Sequence, residues 1–142
     1  MKPILCLAGL VAVLATAQFQ VRAQERASTR DGVYTEDQAR RGQASYKKSC
    51  GSCHGAELAG SGAATPPLAG PDFTANWAGQ TVDDLFERIQ TTMPADRPGK
   101  LGRAENADIL AYILQFNKLP AGKNELPSDA DALKQIQFEA PK

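Results

Sequence analysis

Apolar side chains recur at the spacing of an α-helix in two stretches of the second half of the chain. Between residues 82 and 92 they fall on one face, with charged residues elsewhere, and over 103–117 they form a broader face. A third helix is predicted over 35–49 from its start, because Thr35 is followed by two acids and then by Gln38, the pattern of a capping box. These three stretches predict a protein built mainly from helices.

The segments that connect these helices are rich in Gly, Ala and Pro. Neither a helix nor a strand fits residues 55–76, and so long a loop is unusual in a compact domain unless it wraps around something. A short helix is predicted near 128–135, and no stretch alternates as a strand would. Gly42 costs the first helix about 1 kcal/mol relative to alanine, which favours close approach of another helix there. The predicted fold class is therefore all-α.

A CxxCH motif follows the first predicted helix, at Cys50, Cys53 and His54. Each thiol can add to one vinyl group of a porphyrin, and the histidine then lies under the iron as an axial ligand. Aromatic residues make up only 6% of the chain, which predicts a thin core, and a buried porphyrin would supply the missing apolar surface. The motif therefore predicts covalently attached haem c, with His54 as its proximal ligand.

Three other uses of the two cysteines stay open. A zinc site needs four protein ligands, or three with an open position, so a carboxylate would have to complete the set. A dithiol oxidoreductase places its CxxC between a strand and a helix, whereas here a helix precedes and a Gly-rich loop follows. A disulfide is permitted in an oxidising compartment. None of the three requires a histidine directly after Cys53, which is why haem attachment is favoured.

The second axial ligand has to be another residue type, because His54 is the one histidine of the chain. Met93 is the one methionine besides Met1, and it lies at the end of a predicted helix, directly before Pro94. A thioether at this position would favour ferrous iron and raise the potential, as suits an electron carrier. The alternative is that Met93 fills a gap in the core.

Residues 1–23 have the pattern of a secretory signal peptide. A positive charge precedes an apolar stretch over 4–17, and small-residue cleavage sites follow at Ala17 and Ala23. An uncleaved membrane anchor is the alternative, although the apolar run is short for a span of about 20 residues. Cleavage would also remove Cys6. From the signal pattern we expect a mature, periplasmic protein without a membrane span.

The rest of the chain divides into three predicted parts: a flexible lead-in over 24–33, a domain over 34–119 and a C-terminal extension over 120–142 that packs on it. The length of 142 residues, with 42% hydrophobic and 23% charged side chains, is typical of one globular domain. The full chain has zero formal net charge, and residues 24–142 hold 14 basic and 16 acidic side chains, a net −2. A nucleic-acid partner is therefore not expected.

Taken together, these motifs resemble those of a class I c-type cytochrome. The resemblance rests on CGSCHG at 50–55, PPLAG at 66–70, Met93 with Pro94, DILAYIL at 108–114, and the pair Gly42 and Tyr46 in the first helix. It implies an all-α cytochrome c-like fold of three main helices wrapped around one covalently bound haem c, with the first and last helices crossing. The details are similar to haem domains associated with periplasmic quinoprotein dehydrogenases.

The resemblance also implies roles for residues around the cofactor. The carbonyl oxygen of Pro66 would accept a hydrogen bond from the His54 ring and so set its tautomer. Leu68 would pack on the haem face. Trp77 would donate its indole N–H to a haem propionate, or serve as a core residue. The cofactor-binding set is thus Cys50, Cys53, His54, Met93, Pro66, Leu68 and Trp77, with His54 and Met93 on the iron.

The function that the sequence predicts is periplasmic electron transfer by a single haem c that cycles between Fe(III) and Fe(II), without enzymatic chemistry. The expected partners are a dehydrogenase donor and an oxidase or cytochrome acceptor. A tightly bound haem subunit of a dehydrogenase or oxidase complex is one alternative. A haem-based ligand sensor is another, although such proteins usually need a distal polar group. A haem-free dithiol redox protein is the third.

Overall fold

Helices dominate the part of the chain that the computed structural model describes, residues 26–142. The elements in chain order are β1 Ala27–Ser28, α1 Glu36–Ser49, α2 Gly51–His54, α3 Pro71–Trp77, α4 Val82–Thr92, α5 Arg103–Phe116, α6 Ala130–Leu133 and β2 Ile136–Gln137. The predicted all-α fold is confirmed. The predicted signal peptide, residues 1–23, lies outside the described residues. Within residues 26–142, none of the helices combines the length and the apolar character that a membrane span requires.

The three main helices, α1, α4 and α5, begin and end close to their predicted positions. Thr35 caps α1, because its hydroxyl oxygen accepts a hydrogen bond from the backbone N–H of Gln38 at 3.2 Å. At the start of α4, the Thr81 hydroxyl accepts from the Asp84 N–H, and the Asp84 carboxylate accepts from the Thr81 N–H at 2.8 Å. Polar residues at the helix starts thus satisfy backbone donors that have no partner within the helix.

Helices α1 and α5 cross at close range, and Gly42 is the reason. A Cβ atom added to Gly42 would lie 1.7 Å from the carbonyl oxygen of Asp108, so only glycine lets the two backbones approach this far. Arg41 holds the same crossing through Nε and Nη2, which donate to the Asp108 carboxylate at 2.9 and 3.0 Å. Further along, the rings of Tyr46 and Tyr112 pack with centroids 5.3 Å apart. The predicted crossing of the first and last helices is confirmed.

The core lies against α5, whose side chains are buried around most of its circumference. Its buried apolar residues are Ala107, Ile109, Leu110, Ala111, Tyr112, Ile113 and Leu114. Helix α4 adds the residues whose helical spacing predicted it, which are Val82, Leu85, Phe86 and Ile89. Burial of this face, at roughly 25 cal/mol per Å² of apolar surface, is the main contribution to stability.

The sequence predicts no helix over 55–76, but α3 begins within this segment. Pro71 occupies the first helical position, where its missing N–H costs nothing. Phe73 is 4% exposed and packs edge-on against Phe138 of the C-terminal tail, with ring centroids 6.2 Å apart. A helix of seven residues is too short to show a periodic pattern, and its stability depends on a contact that is distant in sequence.

Gln38 does not complete the capping box that the sequence predicts for it. Its Nε2 atom donates to the carbonyl oxygen of Leu126 at 3.0 Å, and its Oε1 atom accepts from the Leu126 N–H at 2.7 Å. The amide therefore pairs with a peptide group as a neighbouring strand would. Since Leu126 is 2% exposed, its backbone groups have no access to water, and satisfying them outweighs a second cap bond at an exposed helix start.

The C-terminal segment packs on the helices and reaches back to the beginning of the described chain. Leu133 and Phe138 are 0% exposed, and β2 pairs in parallel with β1. Thr29 donates from its hydroxyl to the carbonyl oxygen of Glu139 at 2.9 Å. The sequence predicts a flexible lead-in over 24–33, but its described part is held by these contacts. Its polar composition does not reveal a partner 110 residues away along the chain.

We expect Gly42→Ala to lower the free energy of unfolding by about 3 kcal/mol or more, because the new methyl group overlaps a backbone carbonyl that cannot move without separating α1 from α5. Gly102→Ala is the matched control, since nothing lies within 4 Å of its Cβ position. Thermal unfolding of both variants beside the parent protein measures the difference. Equal stabilities of the two variants would contradict the close crossing.

The cap of α4 makes a pH-dependent contribution to stability. Hydrogen bonds from the hydroxyl and backbone N–H of Thr81 lower the pKa of Asp84. A carboxylate with a lowered folded-state pKa contributes stability that is present above its unfolded pKa, about 3.9, and lost as the pH falls through the folded pKa.

We therefore expect Asp84→Asn to lower the unfolding temperature at neutral pH and to lose this effect as the pH falls below about 3.9. Melting curves across the acid range measure it. Asp96→Asn, on an exposed loop, is the control. A penalty for Asp84→Asn that persists unchanged in acid would show that the carboxylate charge is not responsible.

Candidate functional site

The CxxCH motif forms a short helix of its own, α2, directly after α1. Cys50 is the junction: its N–H donates to the Tyr46 carbonyl oxygen at 2.8 Å, and its carbonyl oxygen accepts the His54 N–H at 3.0 Å. Because residues three and four apart share a helix face, one turn brings Cys50, Cys53 and His54 together. Both cysteines are free thiols, of which Cys50 is half-buried and Cys53 exposed.

Tyr46 fixes the far end of the motif. Its hydroxyl donates to the carbonyl oxygen of Gly55 at 2.7 Å, while its ring is 1% exposed. Burial, with smaller effects of Cys50 and Tyr112, raises the pKa of Tyr46, so the hydroxyl stays a donor over the physiological range. Gly55 ends α2 with a φ of 77°, a conformation that favours glycine. The motif is therefore held between α1 and a fixed turn.

The environment of Cys50 disfavours thiolate chemistry. Burial raises the pKa of its thiol to about 11, and the nearby Glu105 and Cys53 add to this effect. The attacking thiol of a dithiol oxidoreductase has a lowered pKa, since the thiolate is the nucleophile. The raised pKa of Cys50 therefore does not favour the alternative of a haem-free dithiol redox protein.

His54 is 6% exposed, and its ring faces the loop that follows the motif. Its Nδ1 atom lies 3.0 Å from the carbonyl oxygen of Pro66. Because a carbonyl oxygen can only accept, Nδ1 carries the hydrogen in this contact and Nε2 has the free lone pair. That tautomer suits a metal ligand, whose other ring nitrogen usually donates to a carbonyl or carboxylate.

The loop that carries Pro66 is held by backbone and side-chain bonds. The N–H of Leu68 donates to the carbonyl oxygen of Leu58 at 2.8 Å. On the other side, Asn117 donates to the Leu68 carbonyl oxygen at 2.9 Å and accepts from the Gly70 N–H at 3.0 Å. Sequence reasoning missed Asn117. An asparagine at the end of a helix is a recognisable signal, but its partners lie 47 and 49 residues away.

Met93 lies at the C-terminal end of α4, as the sequence predicts for it. Its N–H donates to the carbonyl oxygen of Ile89 at 3.0 Å, which ties the residue to the last helical turn. The loop after it closes through Gln90, whose Nε2 atom donates to the Leu101 carbonyl oxygen at 3.1 Å. Met93 is partly buried, so part of its side chain lies at the edge of the core.

Several partly buried apolar residues pack against the core, four of them from the predicted site together with Ala69 and Leu101. They are Cys50, Leu68, Ala69, Trp77, Met93 and Leu101. Of the predicted site residues, His54 and Pro66 make a direct hydrogen bond. Leu68, Trp77 and Met93 pack against the same hydrophobic core, and the exposed Cys53 lies on the motif helix α2 with His54.

These residues fit a covalently attached haem better than they fit a zinc ion. The donor set contains two thiols one helical turn apart, an imidazole in the required tautomer and a thioether. Half-exposed apolar edges are what a flat, apolar macrocycle would cover. Within residues 26–142, no group of three or more His, Cys, Asp or Glu side chains is arranged to hold a metal ion, as a zinc site would require.

A family model described as cytochrome c oxidase, cbb3-type, subunit III matches residues 37–113, more than half of the chain. The chain belongs to this family of c-type cytochromes. No curated protein and no solved structure matches the chain. The resemblance to c-type cytochromes is thereby confirmed, while the similarity to haem domains of quinoprotein dehydrogenases stays a prediction.

Membership of the family determines the general chemistry of this cytochrome. A cytochrome c domain of this family binds haem c covalently and carries electrons to redox partners. The matched range includes the CxxCH motif, the Pro66 loop and Met93. The predicted site residues therefore lie within the matched part of the chain, whereas Asn117 lies outside it.

We expect Tyr46→Phe to lower the free energy of unfolding by about 1–2 kcal/mol, since it removes the donor to the Gly55 carbonyl oxygen and preserves the ring packing. Tyr112→Phe, in the neighbouring ring of the same aromatic pair, is the matched control. Denaturant unfolding of both variants tests this. Equal losses in the two variants would mean that the bond to Gly55 contributes nothing specific.

Proposed function

We propose that this protein carries single electrons between redox proteins of the periplasm, through one haem c attached to Cys50 and Cys53. The observation that carries the proposal is the buried ring of His54, whose Nδ1 atom is committed to the Pro66 carbonyl oxygen at 3.0 Å. This hydrogen bond leaves Nε2 as the metal-binding nitrogen, on the same helical turn as the two thiols. The chain has one CxxCH motif, which supports one haem per chain.

His54 and Met93 are the proposed axial ligands of the iron. The haem supplies one-electron chemistry between Fe(III) and Fe(II). Met93 is supported by its position, because it ends α4, is anchored to Ile89 and has a side chain at the edge of the core. A thioether in the second axial position raises the potential and closes the site to other ligands, which suits a carrier rather than an enzyme or a gas sensor.

Three further residues complete the proposed cofactor site. Pro66 orients the His54 ring through its carbonyl oxygen. Leu68 packs on the haem face, and its backbone is fixed on both sides by Leu58 and Asn117. Trp77 is partly buried beside Phe73, at a centroid distance of 6.5 Å, and its indole N–H would donate to a haem propionate.

The surface beside the motif suggests the kind of redox partner. Lys47 and Lys48 lie exposed in the last turn of α1, and Lys100 lies exposed on the loop after Met93. We propose that these three lysines form a basic rim, which would favour an acidic face on the partner and would increase the association rate at low ionic strength. We assign a dehydrogenase as donor and an oxidase or another cytochrome as acceptor. The signal-like residues 1–23 support a periplasmic location.

A fixed place in a dehydrogenase or oxidase complex is the second candidate function. The matched family is described as a subunit of a cytochrome c oxidase, which favours this alternative. Stable co-purification of the protein with a larger redox complex would support it over a diffusing carrier.

The test of cofactor and attachment is the intact mass of the full-length chain produced in cells with a working cytochrome-maturation apparatus. We expect the mature protein to exceed its sequence mass by one haem and to begin after Ala17 or Ala23. A double variant with Cys50→Ser and Cys53→Ser should carry no covalent haem, because no thiol is left to add to the vinyl groups. A colourless parent protein without a porphyrin adduct would overturn the proposal.

The second axial ligand is tested by Met93→Ala. We expect this variant to keep its covalent haem, to lose the weak far-red absorption of the oxidised form and to bind carbon monoxide when reduced at neutral pH. Leu101→Ala, at the other end of the same loop, is the matched control and should retain the absorption. A far-red band that survives in Met93→Ala would mean that another residue occupies the position.

A further inference from the structure

Two asparagines are buried near opposite ends of α5, among the mostly apolar side chains of this helix. Asn106, close to its start, is 0% exposed, and Asn117, which ends it, is 6% exposed. Burying an amide costs free energy unless its polar atoms find partners. Asn117 bonds to the loop whose Pro66 carbonyl oxygen contacts the His54 ring, and Asn106 bonds to α4, the helix that ends at Met93.

Asn117 holds the segment on the His54 side. Its Nδ2 atom donates to the Leu68 carbonyl oxygen at 2.9 Å, and its Oδ1 atom accepts from the Gly70 N–H at 3.0 Å. The side chain thus pairs with the loop backbone at two points. Pro66, whose carbonyl oxygen accepts the hydrogen bond from Nδ1 of His54, lies two residues before Leu68. The loop that presents this carbonyl group is thus hydrogen-bonded to the C-cap residue of α5.

Asn106 acts on the Met93 side through one intermediate residue and through one amide atom, since its buried Oδ1 atom has no hydrogen-bond partner among the described residues. Its Nδ2 atom donates to Oε1 of Gln90 at 2.7 Å, and Nε2 of Gln90 donates to the Leu101 carbonyl oxygen at 3.1 Å. Gln90 lies in the last turn of α4, and Leu101 lies at the far end of the loop that begins with Met93. These two bonds close the loop at its base and connect it to α5.

We propose that Asn117 and Asn106 are positioning residues, which separately tie two ligand loops to α5. The proximal loop, residues 66–70, contacts the His54 ring through Pro66, and the distal loop, residues 93–101, begins with Met93. This inference rests on the proposed function, because it takes His54 and Met93 as axial ligands. Helix α5 is suited to the role, since its crossing with α1 at Gly42 leaves no room for displacement. Each asparagine would then act on one proposed axial ligand, Asn117 through the loop of Pro66 and Asn106 through Gln90, and the two effects would be independent.

The proposal is tested with Asn117→Leu and Asn106→Leu in the haem-loaded, full-length protein. Hydrogen exchange should become about tenfold faster at the backbone amides of 68–70 in the first variant and of 93–101 in the second, with the other loop unchanged. The far-red absorption of the oxidised form should be lost at a lower pH in Asn106→Leu than in the parent protein. Both variants should shift the reduction potential.

Two controls separate positioning from general loss of stability. Leu133→Ala removes a fully buried side chain of α6 and should not open either ligand loop selectively. Asn124→Leu alters an exposed asparagine and should change none of these measurements. If both asparagine variants open the two loops to the same degree, or open neither, the positioning role is overturned.

Milder variants keep the proposal testable if the leucine variants do not fold. Asn117→Asp keeps an acceptor for Gly70 and removes the donor to Leu68, so it should still loosen 66–70. Gln90→Leu breaks the distal connection at a half-buried residue and should still loosen 93–101. Exchange rates like those of the parent protein in these two variants would likewise overturn the role.

Failure of the proposed function gives a different result. A parent protein without haem would lack far-red absorption altogether, whereas hydrogen exchange would still report on the two loops. If the loops open selectively in a chain that contains no haem, the proposal that Asn117 and Asn106 position axial ligands is overturned. Their hydrogen bonds would then stabilise only the fold.

Discussion

The contact between the backbones of α1 and α5 at Gly42 constrains the rest of the structure. A single methyl group at this position would meet the carbonyl oxygen of Asp108, so the crossing exists only because the residue is glycine. Helix α1 continues into the CxxCH turn, and α5 provides the asparagines that hold both ligand loops. The relative positions of the thiols, the imidazole and the thioether therefore depend on this one close contact between α1 and α5.

The chemistry of the site depends on a backbone atom as much as on side chains. The Pro66 carbonyl oxygen selects the tautomer of His54, and proline is well suited to hold it because its φ angle is restricted. The backbone of Leu68 is fixed from two sides, by Leu58 and by Asn117. An imidazole held in this way needs little reorganisation between two oxidation states, which is what an electron carrier requires.

The C-terminal segment contributes to the fold through long-range contacts. Gln38 pairs with the Leu126 peptide group, and Arg41 donates to Glu125 at 2.8 Å as well as to Asp108. Phe138 packs against Phe73 and so supports α3, from which Trp77 projects at the edge of the core. The segment therefore stabilises a helix of the proposed cofactor site without belonging to that site.

The sequence alone determined the all-α class, the three main helices and the CxxCH chemistry, because these depend on patterns that are local in the chain. It also predicted the contact of Pro66 with His54 through a family resemblance. It did not reveal α3, the true partner of Gln38 or the roles of Asn106 and Asn117. Those features are decided by tertiary structure, because an amide can pair with its own helix, with solvent or with a distant loop, and only the folded chain determines which partner lies within reach.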